Sequence, residues 1–133
     1  MSEDIKLARQ WVAKAANDLL SADNNLKAEE VPFDVVCFHC QQAAEKLLKA
    51  FLTVSGHSPP RTHDLLLLLE EVLRINVAAE ALRDSLALLM PYAVEIRYPD
   101  EWFEPSDEDA REARQAAEVV ADWLRSALPA MFD

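Results

Sequence analysis

The residues most able to do chemistry in this 133-residue chain fall in three places. In "CFHCQQAAEKLLKAFL", residues 37–52, and just beyond it, His39, Gln42, Lys46, Lys49 and Thr53 recur at three- and four-residue spacings. On a helix that spacing makes one polar edge opposite an apolar face, mixing hydrogen-bond donors with two cations. Such an edge is either a solvated helix face or a shallow groove for phosphate or nucleotide, with Lys46 and Lys49 supplying charge. Arg61 and His63 stand in a loop that opens another helix, where they and the first free amides can meet an anion, or where His63-Asp64 simply caps the helix. The third place is Arg97-Tyr98-Pro99-Asp100. One reading is structural: the arginine satisfies helix-end carbonyls, Pro99 forces Tyr98 extended, and Asp100 closes the turn. The other sets Arg97, Tyr98 and Asp100 along a cleft with Lys46, Lys49 and the His63 loop, where the arginine holds a phosphate and the tyrosine stacks or offers its hydroxyl.

Other chemistries lack support. Cys37, His39, Cys40, His57 and His63 have ligand character, but the first three point around different sides of one helical turn, so no metal site is expected. No nucleophile elbow or paired zinc motif appears, and a single glycine in the whole chain rules out glycine-rich phosphate loops. No cofactor is implied.

The elements that position these residues read as helices. Ala8, Trp11, Val12, Ala15, Leu19, Ala22 and Leu26 lay one stripe along a first helix from Ile5 to about Leu26. A second starts near Asp34, which can cap it, carries Val36, Cys40, Ala43, Leu47, Phe51 and Val54 inward, and ends at Ser55-Gly56. Pro59-Pro60 leads into a short helix from about His63 to Leu73, with Thr62 or Asp64 as its cap. A fourth is expected over Ala78 to Ala93, kinked or ended early by Pro91. Ser106 with Asp107, Glu108 and Asp109 then opens a last helix, which runs to about Leu128 on Ala113, Ala117, Val120 and Leu124. The whole chain, 1–133, therefore reads as one all-α domain, an antiparallel up-and-down bundle of four longer helices plus one short helix.

Composition agrees, with 51% apolar residues and one glycine. The N-terminus lacks a signal core and no apolar run reaches the length of a membrane span, so a cytoplasmic protein with no membrane contact is expected. Cys37 and Cys40, three apart on one helix, read as buried free thiols. The formal charge of −11 excludes a protein that grips nucleic acid with its whole surface. The average hides an asymmetry: Tyr98 to Asp133 carries ten acids and three bases, whereas His39 to Arg74 is balanced at four of each and holds all three histidines. Any anion site belongs in that second stretch. Trp102, Phe103, Trp123, Met131 and Phe132 exceed what the interior needs, which suggests a homodimer.

With "CFHCQQAAEKLLKAFL" followed by "GHSPPRTHDLLLLLEE" and "YAVEIRYPD", the chain resembles the HEPN family (higher eukaryotes and prokaryotes nucleotide-binding domain) over nearly its whole length. The resemblance implies a bundle of four longer helices and a shorter one, commonly dimeric, in bacteria and archaea. It implies one of two roles. Many members resemble ribonuclease toxins, in which an arginine followed four to six residues later by a histidine forms the cleavage site across a dimer. Small single-domain members are typically encoded beside a minimal nucleotidyltransferase, as a toxin–antitoxin pair or a two-part nucleotide-handling unit. Arg97 falls where the ribonuclease motif should start, yet no histidine stands among Glu101 to Pro105, and no other arginine has a histidine five to seven positions on. Cleavage through a 2′-hydroxyl needs a proton acceptor and donor near neutral pH, which histidine supplies best.

Three readings follow. The first is a dimeric nucleotide- or phosphate-binding module docked to a nucleotidyltransferase, its acidic last helix suiting a basic partner surface. The second is a metal-independent ribonuclease that uses His63 or His39 in place of the missing histidine, with RNA as its substrate. The third is a purely structural interaction dimer.

Overall fold

Helix α1 spans Glu3–Leu26, with Glu3 and Asp4 in its first turn, where the helix dipole favours acids. A computed structural model of the chain describes residues 3–93 and 104–132. Ala8, Val12, Ala15 and Ala22 bury the expected stripe of α1. Helix α2 spans Phe33–Val54 and begins earlier than expected. Pro32 is its N-cap, makes no side-chain cap bond, and accepts from the Val36 amide at 3.1 Å. Asp34 therefore lies inside the first turn, its carboxylate accepting from the adjacent Val35 amide at 2.9 Å rather than capping the helix. At the other end Gly56 has φ +85°, a conformation strained for any residue with a Cβ. The His57 amide donates to the Leu52 carbonyl at 2.9 Å and the Gly56 amide to Thr53 at 3.1 Å, a Schellman closure of α2.

Helix α3, Leu65–Leu73, starts two residues after the expected His63, because Asp64 is the cap and accepts from the amides of Leu66 and Leu67. The single fourth helix expected over Ala78 to Ala93 is three pieces: a 3-10 segment Val77–Leu82, helix α4 at Arg83–Leu89, and a 3-10 turn Met90–Tyr92. Ala79 and Leu82, three apart, fall on one side of a 3-10 segment, so both can be buried that way. Pro91, lacking an amide hydrogen, cannot continue the α ladder at the far end. Helix α5, Asp107–Ala127, opens on the expected capping box: Ser106 Oγ accepts from the Asp109 amide at 3.1 Å while Asp109 accepts from the Ser106 amide at 2.9 Å. A 3-10 turn, Pro129–Phe132, follows it. Among the described residues all regular structure is helical, and no helix is long and apolar enough to cross a membrane.

Helix α2 is the centre. It packs against α1, α5, α3 and α4, while α1 and α5 barely touch each other. Its Phe51 ring meets Trp123 of α5 at 5.2 Å between centroids. Small side chains permit this close packing: Ala8, Ala15 and Ala22 on α1, Ala43, Ala44 and Ala50 on α2, and Ala110, Ala113, Ala117 and Ala121 on α5 are all buried. Of the surplus apolar residues, Met131 is buried, and Trp123 and Phe132 pack against the core; Trp102 and Phe103 lie outside the described residues.

Cys37 and Cys40 are buried free thiols. Burial pushes Cys37 up from 9.0 to about 12, reinforced by Asp109 and opposed by a hydrogen bond with Tyr92. Burial also carries Cys40 up to about 12, opposed by Arg114. Both are expected to resist iodoacetamide in the native protein at neutral pH and to react once it is unfolded, since the thiolate is the nucleophile. Folded thiols keep their protons to higher pH than unfolded ones, so stability intact below pH 9.0 is lost as pH rises toward about 12. Urea titrations across that range check the sign, and rapid labelling without denaturant would contradict the burial.

Candidate functional site

The polar edge of α2 exists, but it is not a row of free cations. Lys46 Nζ donates to Asp18 Oδ2 of α1, and His39 Nδ1 meets Asp18 Oδ1 at 2.8 Å. Lys49 Nζ donates to Glu45 Oε2 at 3.0 Å, and His63 Nδ1 meets Glu45 Oε1 at 2.7 Å. Two carboxylates thus each hold one lysine and one histidine. Asp18 is 8% exposed, Glu45 3% and Lys49 8%, so Glu45–Lys49 is a buried pair, while Lys46 and His39 meet buried Asp18 from a partly exposed position and His63 meets Glu45 from solvent. Lys49 also lies 5.6 Å from the centroid of the Trp11 ring, within cation–π reach. Thr53, the last residue of the edge, is buried and donates to the Lys49 carbonyl.

Helical rotation explains the assembly. Residues 39 and 46 turn toward α1, where Asp18 waits, while 41 and 45 turn toward the loop before α3. Gln42 lies between and donates to Gln41 Oε1 at 2.8 Å; Gln41 in turn donates to the His63 carbonyl at 3.1 Å. The strip from His39 to Lys49 is therefore the floor between α1 and the 61–64 loop. A carboxylate only accepts, so the Nδ1 of each histidine carries the hydrogen and donates. That fixes the ring and leaves Nε2 on the far side; the His63 side chain is 68% exposed. Each imidazole can donate to or accept from a ligand, and each is oriented by a carboxylate, an arrangement compatible with acid–base chemistry.

Of the residues singled out in sequence, His39, Gln42, Lys46, Lys49 and His63 lie on or beside this strip. Arg61 is exposed in the adjoining loop, with no ion-pair partner among the described residues. The α3 amides expected to meet an anion beside it are occupied by Asp64 instead. Arg97, Tyr98 and Asp100 lie outside the described residues. Sequence reasoning missed the two carboxylates that organise the rest. Asp18 had a signal, since it falls on the apolar stripe of α1 between Ala15 and Ala22. Glu45 had a weaker one, four residues from both Gln41 and Lys49. Among the described residues no group of three or more His, Cys, Asp or Glu is arranged to hold a metal ion.

A solved structure, that of TT1696 from Thermus thermophilus, is similar at 27% identity, covering 91% of this chain and 98% of that one with a TM-score of 0.79. Comparison with curated proteins gave no match. The family model of the HEPN domain matches residues 8–127, from within α1 to the last residue of α5. With every residue of the α2 strip inside that span, the chain belongs to the HEPN domain family.

Proposed function

We propose that this HEPN-domain protein is a nucleotide- or phosphate-binding module that works as a homodimer with a minimal nucleotidyltransferase, in a toxin–antitoxin-like pair. The observation that carries the reading is the pair of carboxylate-held histidines bordering the α2 strip, with Arg61 two residues before His63 in the same loop and without an ion-pair partner among the described residues. Lys46 and Lys49 are offset by Asp18 and Glu45, so their role is to fix those carboxylates. The groups that meet the phosphate are the Nε2 atoms of the two imidazoles and the Arg61 guanidinium. The partner reading draws on family membership and on the acidity of the chain, which suits a basic surface.

ATP titration followed by thermal unfolding tests it. At a hundred times its Kd, the ligand should add about 2.7 kcal/mol of stability. Arg61→Ala should weaken binding about tenfold, the loss of one charged hydrogen bond, and leave the unliganded melting point in place. His63→Ala should weaken it similarly. If ATP, AMP and inorganic phosphate all leave the melting point unmoved, the reading fails.

The same two histidines favour a second reading, a ribonuclease without the family's arginine–histidine motif. Cleavage of single-stranded RNA by purified protein, lost in both His39→Ala and His63→Ala, would establish it in place of the first.

A further inference from the structure

Between α4 and α5 runs an open groove of about 330 Å³ that involves none of the residues of the α2 strip. Its floor is apolar: Leu88 of α4, 38% exposed, with Ala116 and half-buried Val119 of α5. Its rims are acidic, Asp84 on α4 and Glu112 on α5, both exposed.

Among the described residues the charge on those rims is unpaired. Each arginine of the two helices is already neutralised by other acids: Arg83 by Glu70 and Glu80, Arg111 by Asp107, Arg114 by Asp23 and Glu118, and Arg125 by Glu118 and Asp122. Asp84 and Glu112 have no cation within ion-pair distance among the described residues. Glu108, also exposed, stands one turn before Glu112 and extends the same negative border. An apolar trough bordered on both sides by acids without an ion-pair partner among the described residues is complementary to one kind of occupant.

We propose that this groove docks a basic amphipathic helix of a partner protein, whose apolar residues enter over Leu88 and Val119 while its lysines or arginines meet Asp84 and Glu112. Helix-in-groove recognition needs only that pattern, apolar anchors three and four apart with flanking charge. The sign of the rims turns away nucleic acid and anionic lipid, whose phosphates they repel. It also disfavours a second copy seated symmetrically on this face, since a two-fold contact sets each patch against itself and acid against acid. The inference is independent of the nucleotide reading, which concerns other residues.

The test is fluorescence anisotropy with a labelled leucine–lysine amphipathic peptide of about 18 residues, five turns of helix. Asp84→Lys combined with Glu112→Lys should weaken binding at least about tenfold, as expected when opposite charges become like charges. Glu29→Lys combined with Glu30→Lys reverses the same number of exposed acids in the α1–α2 turn, and should change binding less than about twofold. Leu88→Ser should weaken it without altering the circular dichroism. Equal losses from both charge reversals, equal binding of a leucine–glutamate peptide, or no binding at all would overturn the proposal. So would concentration-dependent dimers abolished by Leu88→Ser, which would make a second copy the occupant. None of these outcomes depends on whether ATP binds the α2 strip.

Discussion

Replacing Glu45 with alanine is expected to destabilise the protein by about 3–5 kcal/mol, the range seen when one member of a buried ion pair is removed. Glu45 is 3% exposed, and its two oxygens serve Lys49 at 3.0 Å and His63 at 2.7 Å. His63 loses little, because its side chain is mostly in solvent. Lys49 loses nearly everything: it is 8% exposed, and among the described residues what remains to attract its charge without Glu45 is the face of Trp11, 5.6 Å away. A cation–π contact of about 2 kcal/mol at best cannot offset desolvating an ammonium. The loss would consume a large part of the roughly 5–15 kcal/mol that holds a domain of this size together. Removing both charges should behave differently. Glu45→Leu with Lys49→Met takes away the attraction and the desolvation cost together, and is expected to come within about 1 kcal/mol of the parent or above it. Urea unfolding of the two variants decides the matter. A Glu45→Ala protein within about 1 kcal/mol of the parent would mean that water reaches Lys49 and that the pair is not buried in solution.

That contrast also marks where the sequence stops being legible. The α1 stripe, the glycine closing α2 and the Ser106 box are local patterns, and local patterns carry across to structure because the forces behind them act within a turn or two. The polar edge of α2 looks the same in sequence whether it faces water or carboxylates. What distinguishes the two is Asp18, 21 residues from His39 and 28 from Lys46, on another helix. No periodicity links them. The fourth helix also departs from its expected form: Ala78 to Ala93 has helical spacing, yet Val77–Leu82 is a 3-10 segment packed against α3, a difference that the spacing, which suits either form, does not reveal. Sequence leaves Thr62 and Asp64 both open as the cap of α3; the structure uses Asp64, and that role removes the α3 amides from any anion site.

Leu47→Ala should cost about 2–5 kcal/mol, and the architecture argues for the upper half of that range. How much a truncation costs depends on whether neighbours can move in to fill the space. Leu47 is 2% exposed on α2, the helix that every other α-helix touches. By helical geometry it points between the α1-facing side, marked by Ala43 and Ala50, and the α5-facing side, marked by Ala44 and Phe51. Alanines on the α1 flank let the helices pack closely, and on the α5 flank the Phe51–Trp123 contact holds the spacing, so neither α1 nor α5 is expected to slide far into the gap. The cavity therefore stays open, and its lining loses contacts outright. Leu47→Met, which keeps the volume, should cost less than about 1.5 kcal/mol. Val77→Ala, at a residue 79% exposed, should stay within about 0.5 kcal/mol of the parent. Chemical denaturation of the three variants gives the ranking. If Leu47→Ala fell near Leu47→Met, the helices around α2 would have to be free to close over the gap, and the alanine-lined packing would not be the rigid frame that holds His39, Glu45 and Lys46 in register.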